Sequence, residues 1–398
     1  MSTTTAADRA DTADELDDLR AVAKEVANER YAPFAEQWDR DRSTISVQER
    51  RYLAELGWLG IALPEEFGGA GGTFAQALVV VEELAKVYSP AAFQVFEANV
   101  GPAQHLARIG TEEQKRQFLP GIVSGEHTMA VGISEPDAGS AATDMVTKAE
   151  IRDDIVVVRG LKRWISNGGE ADRYLVYARM DDTPGSRGIG AVIVESNRPG
   201  VRFGRRERLM GFRGIPSADV IFEDVEVPVE NIVVRPPDGF RKLFSNFSIE
   251  RLGNTTMSLA LGQAALDKSI DYVQQRLQFG RPIVEFQSVQ LTLADMALQV
   301  DAARLLRDRA VASLDAGTPS TLEVSLAKCA ANEMAKRVTD MAMALHGANG
   351  YSEEYGLERM HRDAHGWALA GGTPAMQRIR IVSEILGRGF DQRPPRQS

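Results

Sequence analysis

Between about Gly125 and Pro237 the hydrophobic pattern changes period, and this change limits the possible folds more than any other feature of the chain. Short runs rich in β-branched residues, "DIVVVRG", "RYLVYARM", "GAVIVES" and "DVIFEDVEVP", are separated by Asn-Gly, Pro-Gly and Arg-Gly turn signals. Strands spaced this closely, with no helical pattern between them, predict an antiparallel barrel or sandwich rather than parallel βαβ units. On both sides the period is helical. From about Thr12 to Val123 apolar residues recur at three- and four-residue spacing, as in Leu78, Val81 and Leu84. After "RPPDGF" the residues Leu266, Ile270, Val273 and Leu277 are expected on one helical face, and Ile283 to Thr318 contains no proline. The expected class is therefore α+β. It has an N-terminal helical domain over 1–124, a middle antiparallel β-barrel-like domain over 125–237 and a C-terminal helical bundle over 238–398. The cleft is expected where the regions meet.

A chain of 398 residues exceeds one ordinary core, and its 43% apolar residues suffice to bury two or three. Runs such as Ala77-Leu78-Val79-Val80-Val81 stop far short of the roughly 20 apolar residues of a membrane helix. The N-terminus carries Asp8, Asp11, Asp14, Glu15, Asp17 and Asp18 against Arg9, unlike a secretory or transit signal. We expect a frayed acidic tail, cytoplasmic location and no membrane partner. A net charge of -10 argues against general nucleic-acid binding. Cys329 is the single cysteine, so no intramolecular disulfide forms. No Gly-x-Gly-x-x-Gly follows a strand, which disfavours a nicotinamide fold. The glycines of "GWLGIALPEEFGGAGGTF", Gly57 to Phe74, lack the lysine of a phosphate loop and are expected to form a connecting turn. His361 and His365 have the spacing of two metal ligands, but no third ligand is evident and no metal is expected.

Several short stretches carry chemistry. "AVGISEPDAGS", Ala130 to Ser140, puts small residues and two hydroxyls on a turn leaving an apolar strand, where N–H and Ser groups can bind phosphate or carbonyl oxygens, or simply make the turn. In "KRWISNGG", Trp164 precedes a tight Asn-Gly turn and is either a core residue or an aromatic wall for a planar cofactor. In "NFSIERLG", Glu250 is either a solvated carboxylate at a helix start or a base.

Together with "QRLQFGRPIVEFQ", Gln275 to Gln287, these stretches resemble the flavin-dependent acyl-CoA dehydrogenases. The resemblance extends over nearly the whole chain, through "LGWLGIALPEEFGG", "ISEPDAGS", "WISNGG", "DVEVPVENIV", "RLQFGRPI" and "LHGANGYSEEYGLERMHRDA", in that order. It implies FAD as cofactor. Ile133 and Ser134 would contact the flavin pyrimidine edge, and Trp164 and Ser166 would flank the ring system. Ser140 would meet the CoA pyrophosphate, and Phe247 and Arg251 the pantetheine and adenosine parts. Arg276, Gln278 and Phe279 would reach the FAD of a neighbouring subunit, with Thr373 at a further FAD position. These contacts imply a homotetramer built as a dimer of dimers. The substrate would be an acyl-CoA or acyl-carrier-protein thioester, and the electron acceptor an electron-transfer flavoprotein.

The family's usual base belongs to an aromatic-Glu-Gly-Thr motif near the C-terminus. This chain reads "WALAGGTPAMQR", with Gly371 where that glutamate would be. One branch of the family, including isovaleryl-CoA and long-chain acyl-CoA dehydrogenases, carries its base in Phe-x-x-Glu-Arg, and "FSIERLG" supplies Glu250 there. The resemblance thus implies that Glu250 removes the α-proton of the thioester while hydride leaves the β-carbon for flavin N5. The Gly371 backbone N–H would remain as a donor to the thioester oxygen. The missing glutamate keeps two alternatives open: a same-fold desulfinase or monooxygenase, and a catalytically silent partner subunit. The chain also departs from the family at Ala141, with Asp144 three residues on, and at Ala344, which puts one loop-fixing hydrogen bond and one FAD contact in question.

Overall fold

The computed structural model describes residues 6–390 and Gln392, with side chains from Asp14 onward. The acidic segment expected to fray is helical from Ala6, in the helix Ala6–Val26; residues 1–5 lie outside the described part. The chain divides into two compact units, 1–253 and 254–398.

In the first unit, helices Val47–Glu55, Phe74–Val87, Ser89–Asn99, Pro102–Ile109 and Glu112–Val123 follow the N-terminal helix and its short successors. Two of them begin with capping boxes, Thr73 with Gln76 and Thr111 with Gln114, which satisfy amides that helix geometry leaves unpaired. Phe74–Val87 is buried nearly all round, including Glu82 and Glu83. Glu83 is paired with Arg20 at 3.0 Å and Lys86 at 2.8 Å, as a buried carboxylate requires. The segment before this helix is a turn, as expected. Its backbone comes so close that a Cβ on Gly69 would stand 2.1 Å from the Leu63 carbonyl oxygen.

The strands are β1 (Met129–Gly132), β2 (Lys148–Arg152), β3 (Ile155–Ser166), β4 (Arg173–Arg179), β5 (Ile189–Glu195), β6 (Val201–Phe203), β7 (Ser217–Pro228) and β8 (Ile232–Val234). They form one sheet in the order β6-β7-β3-β2-β4-β5-β8, with β1 paired to β4. Most pairs are antiparallel, as the short turns require. The exceptions are the parallel pairs β1 with β4 and β2 with β4. Along β4 every residue from Tyr174 to Ala178 is buried. Tyr174, Val176 and Ala178 belong to the sheet's own core with Val192, Val194, Val220 and Phe222. Leu175 and Tyr177 point to the opposite face, since successive side chains alternate.

The long strand β3 is irregular, with register shifts between Val158 and Gly160 and between Lys162 and Ile165. At the second shift Trp164 adopts φ +62°. Such a bulge re-aims side chains: Lys162 is fully buried, and Trp164 is 53% exposed. Trp164 is therefore not a core tryptophan.

The helix Gly239–Gln275 contributes its first part to the first unit and the rest to the second. In the second unit the central helix is Thr321–His346, which packs against Gln287–Asp315, Leu357–Leu369 and Pro374–Leu386. The expected stripe of Leu266, Ile270, Val273 and Leu277 is only half right. Leu266 and Val273 are buried, but Ile270 is exposed. The helix stops at Gln275, so Leu277 begins a two-stranded hairpin, Leu277–Gln278 with Arg281–Pro282. No helix among the described residues is long and apolar enough to cross a membrane.

Candidate active site

The turn after β1 is tied to β3 by three hydrogen bonds. Arg163 N–H donates to the Ser134 carbonyl at 2.8 Å, and Lys162 Nζ donates to the Ile133 carbonyl at 3.0 Å and to Glu135 Oε1 at 2.7 Å. Glu135 also accepts from the amides of Val146 and Thr147, closing the far side of the loop. Burial pulls the Lys162 ammonium down to about 8, against the pull of Glu135. Burial also pushes the Glu135 carboxyl up, but Lys162 and the amide donors outweigh it and hold it below the usual carboxylate range. The pair is charged at neutral pH. Arg179 adds bonds to the carbonyls of Thr143 and Met145, so this loop is held without an acid directly after Ser140.

This brace brings Ile133 and Ser134, both half-buried, beside the exposed Trp164 and Ser166. The Arg163 guanidinium lies 4.5 Å from the Trp164 ring centre and is itself held by Asp219 at 2.9 Å. An open indole next to a small-residue turn with fixed backbone polar groups fits a flat, hydrogen-bonding ring system such as a flavin. Ser140 is exposed further along the same turn.

Glu250 lies in the helix Gly239–Gln275, well past its first turn, so the helix-start reading falls away. Its side chain is 17% exposed, and Oε2 stands 3.9 Å from Nε2 of His105, whose side chain is 0% exposed. This is not an ion pair. Burial, with a smaller contribution from Arg108, pulls the His105 imidazole down to about 3, so it is neutral. Glu97, half-buried on the helix Ser89–Asn99, is the second carboxyl of the cluster. Burial first and the Glu250 charge second push it well above the usual range, and Asn167, three residues after Trp164, opposes them through a hydrogen bond. The buried Tyr177 phenol on β4 is pushed up by burial and also by the Glu250 charge. Glu97 and Tyr177 are thus coupled through space to Glu250, which itself stands beside the neutral imidazole. Phe247 stacks on Phe244 at 6.0 Å and lies 6.0 Å from the His105 ring. Arg251 is buried, its guanidinium 5.6 Å from the Phe244 ring and 5.5 Å from the Phe247 ring.

The remaining expected residues belong to the second unit. Arg276 and Gln278 are exposed at the hairpin, and Phe279 at its tip is 91% exposed with φ +52°. Gly371 and Gly372 have φ +66° and +96°, and Thr373 caps the helix Pro374–Leu386 by accepting from Met376 N–H. The backbone leading into Gly371 is held from inside. Asn254 Nδ2 donates to the Trp367 carbonyl at 3.0 Å and, at 3.4 Å, to that of Ala370. Asn332 in turn donates to Asn254 and Ser258 and accepts from the buried Lys328 at 2.7 Å. The His361 and His365 rings are 4.9 Å apart, and His361 Nδ1 is paired with the Thr339 hydroxyl at 3.0 Å. Among the described residues no group of three or more His, Cys, Asp or Glu is arranged to hold a metal.

The sequence reading missed His105, Glu97, Tyr177, Asn167 and the Lys162–Glu135 pair. Lys162 and Glu135 stand inside the quoted motifs, and a charge at a strand's inward position was the signal available. For His105 and Glu97 no local pattern marked them.

Three family models cover most of the chain: acyl-CoA dehydrogenase N-terminal domain at residues 13–126, middle domain at 130–225 and C-terminal domain at 237–386. The chain is 37% identical to the glutaryl-CoA dehydrogenase of Desulfococcus multivorans over 94% of its length and 97% of that protein's. It is equally 37% identical, with the same coverage, to the 3-sulfinopropanoyl-CoA desulfinase of Paraburkholderia xenovorans (strain LB400). The structure of butyryl-CoA dehydrogenase from Megasphaera elsdenii superposes with a TM-score of 0.90 at 34% identity, covering 93% of this chain and 98% of that one. The motifs, the helical–sheet–helical order and these likenesses agree: the chain belongs to the acyl-CoA dehydrogenase family of enzymes, whose cofactor is FAD.

Proposed function

We propose that the protein catalyses α,β-dehydrogenation of an acyl-CoA thioester to the trans-2-enoyl product, with Glu250 as the base. The observation that carries this reading is the position of Glu250, a mostly buried carboxyl beside a neutral imidazole and a second carboxyl, in a chain whose residue 371 is glycine. FAD would supply the acceptor for the hydride that leaves the β-carbon. Ile133, Ser134, Trp164 and Ser166 hold its ring system, with Thr373 at a further FAD position. Phe247, Arg251 and Ser140 bind the CoA part. Glu250 takes the α-proton, and the Gly371 N–H offers a hydrogen bond to the thioester oxygen.

The proposal includes a homotetramer in which Arg276, Gln278 and Phe279 serve a neighbour's FAD. It is supported by the almost fully exposed Phe279 and by Leu291, Leu298 and Leu305, spaced by seven on one helix and all exposed. Electrons then pass to a protein of the electron-transfer flavoprotein type, as the family resemblance implies. Gly371 and the desulfinase relative favour a second reading, a same-fold enzyme that does not oxidise a saturated chain. An anaerobic screen of straight, branched and aryl acyl-CoAs, followed at the flavin absorbance, separates the two. Bleaching by a saturated acyl-CoA is expected, and no bleaching by any of them refutes dehydrogenation.

A further inference from the structure

His105 is given no task of its own in the reading above, yet its surroundings are hard to explain as packing alone. It comes from the short helix Pro102–Ile109. Its side chain is wholly buried, and neither ring nitrogen has a hydrogen-bond partner among the described residues. A neutral imidazole carries one N–H and one lone pair, and burying that N–H unsatisfied is unfavourable unless an acceptor comes within reach in another state. The groups facing the ring are Glu250 from the helix Gly239–Gln275, Phe247 from the same helix and Arg108 from its own helix. Glu97 and Tyr177 in their turn feel the charge of Glu250. Glu250 Oε2, an acceptor, stands 3.9 Å from Nε2. An approach of about 1 Å, within the range of ordinary side-chain adjustment, makes a hydrogen bond.

We propose that His105 is a positioning residue for Glu250: with an acyl chain seated, its Nε2–H donates to Oε2 and fixes the carboxylate toward the α-carbon. This rests on Glu250 being the base. The donor is neutral, and that matters. A cation at this distance would depress the basicity of Glu250 strongly, whereas a neutral N–H fixes its orientation and lowers it only modestly. Burial of a carboxylate acts in the other direction. When Glu250 takes the α-proton on one oxygen, the other still accepts from Nε2–H, so the imidazole neither gains nor loses a proton.

The test uses the FAD-loaded protein with His105→Leu, which removes the donor, and His105→Asn, which keeps a side-chain N–H. Anaerobic flavin reduction is followed from pH 5.5 to 9 with whichever saturated acyl-CoA reduces the wild type fastest. His105→Leu should slow reduction at pH 7 by roughly tenfold or more and move the lower limb of the pH profile to higher pH, with FAD content unchanged. His105→Asn should recover most of both. Separately, the Cε1–H signal of His105 in protein labelled at histidine should not titrate over this range, and should shift in Glu250→Gln. A wild-type profile in His105→Leu, or a His105 signal that titrates near 6.5, overturns the proposal. If Glu250→Gln itself reduces at the wild-type rate, the base assignment fails, and the His105 signal still reports whether the two side chains meet.

Discussion

At residue 371 the backbone conformation matters as much as the missing carboxyl. Its φ of +66° is in the left-handed region, which costs an L side chain about 1–2 kcal/mol. Restoring the family's usual base by Gly371→Glu should therefore lower the melting temperature and should not return activity to a chain lacking Glu250. In the single variant Glu250→Gln, FAD should stay bound while anaerobic flavin reduction slows by on the order of 100- to 10,000-fold, the usual worth of a positioned base. In the double variant Glu250→Gln with Gly371→Glu the same assay should show no recovery. Stopped-flow absorbance and a thermal melt check both statements. Glu250 could be singled out as a candidate from the sequence, because its motif is local. Its neighbours could not: Glu97 and Glu250 are on different helices, and only the tertiary fold makes them one cluster.

The bulge in β3 determines which side chains open outward beside the Ile133–Ser140 turn and which hold that turn. By turning Lys162 inward and Trp164 outward, it lets one strand brace the Ile133–Ser140 turn and present the indole beside it. Lys162→Met leaves the Glu135 carboxyl buried without its cation, a change that costs about 3–5 kcal/mol. A lower melting temperature and purification with substoichiometric FAD are expected. Adding Glu135→Leu should recover much of the stability without restoring the turn's bond to Lys162. The strands themselves were readable because a period of two is written into the sequence. The parallel pairs of β4 and the early end of the helix at Gln275 were not, because a partner strand and a helix stop followed by no glycine leave no local mark. The order of helical, β and helical regions survived for the same reason the strands did.

For the whole molecule, the buried cluster ties stability to pH with two opposite slopes. His105 titrates at about 3 when folded and near 6.5 when unfolded, so between these values the unfolded chain binds a proton that the folded chain refuses. Stability therefore falls as pH drops through that window. Glu97 is raised well above 4.5, so on going above 4.5 the unfolded chain ionises first and stability falls as pH rises, until the folded carboxyl ionises too. Glu97→Gln should thus melt higher than the wild type at pH 8, with the gap closing toward pH 5, in thermal melts at fixed ionic strength. The second unit adds a different dependence through its hairpin. If the protruding Phe279 completes a binding site on another copy, then holding the prosthetic group becomes a collective property: affinity for it would depend on how much protein is in the tube, and dilution alone would begin to strip the yellow colour from the enzyme.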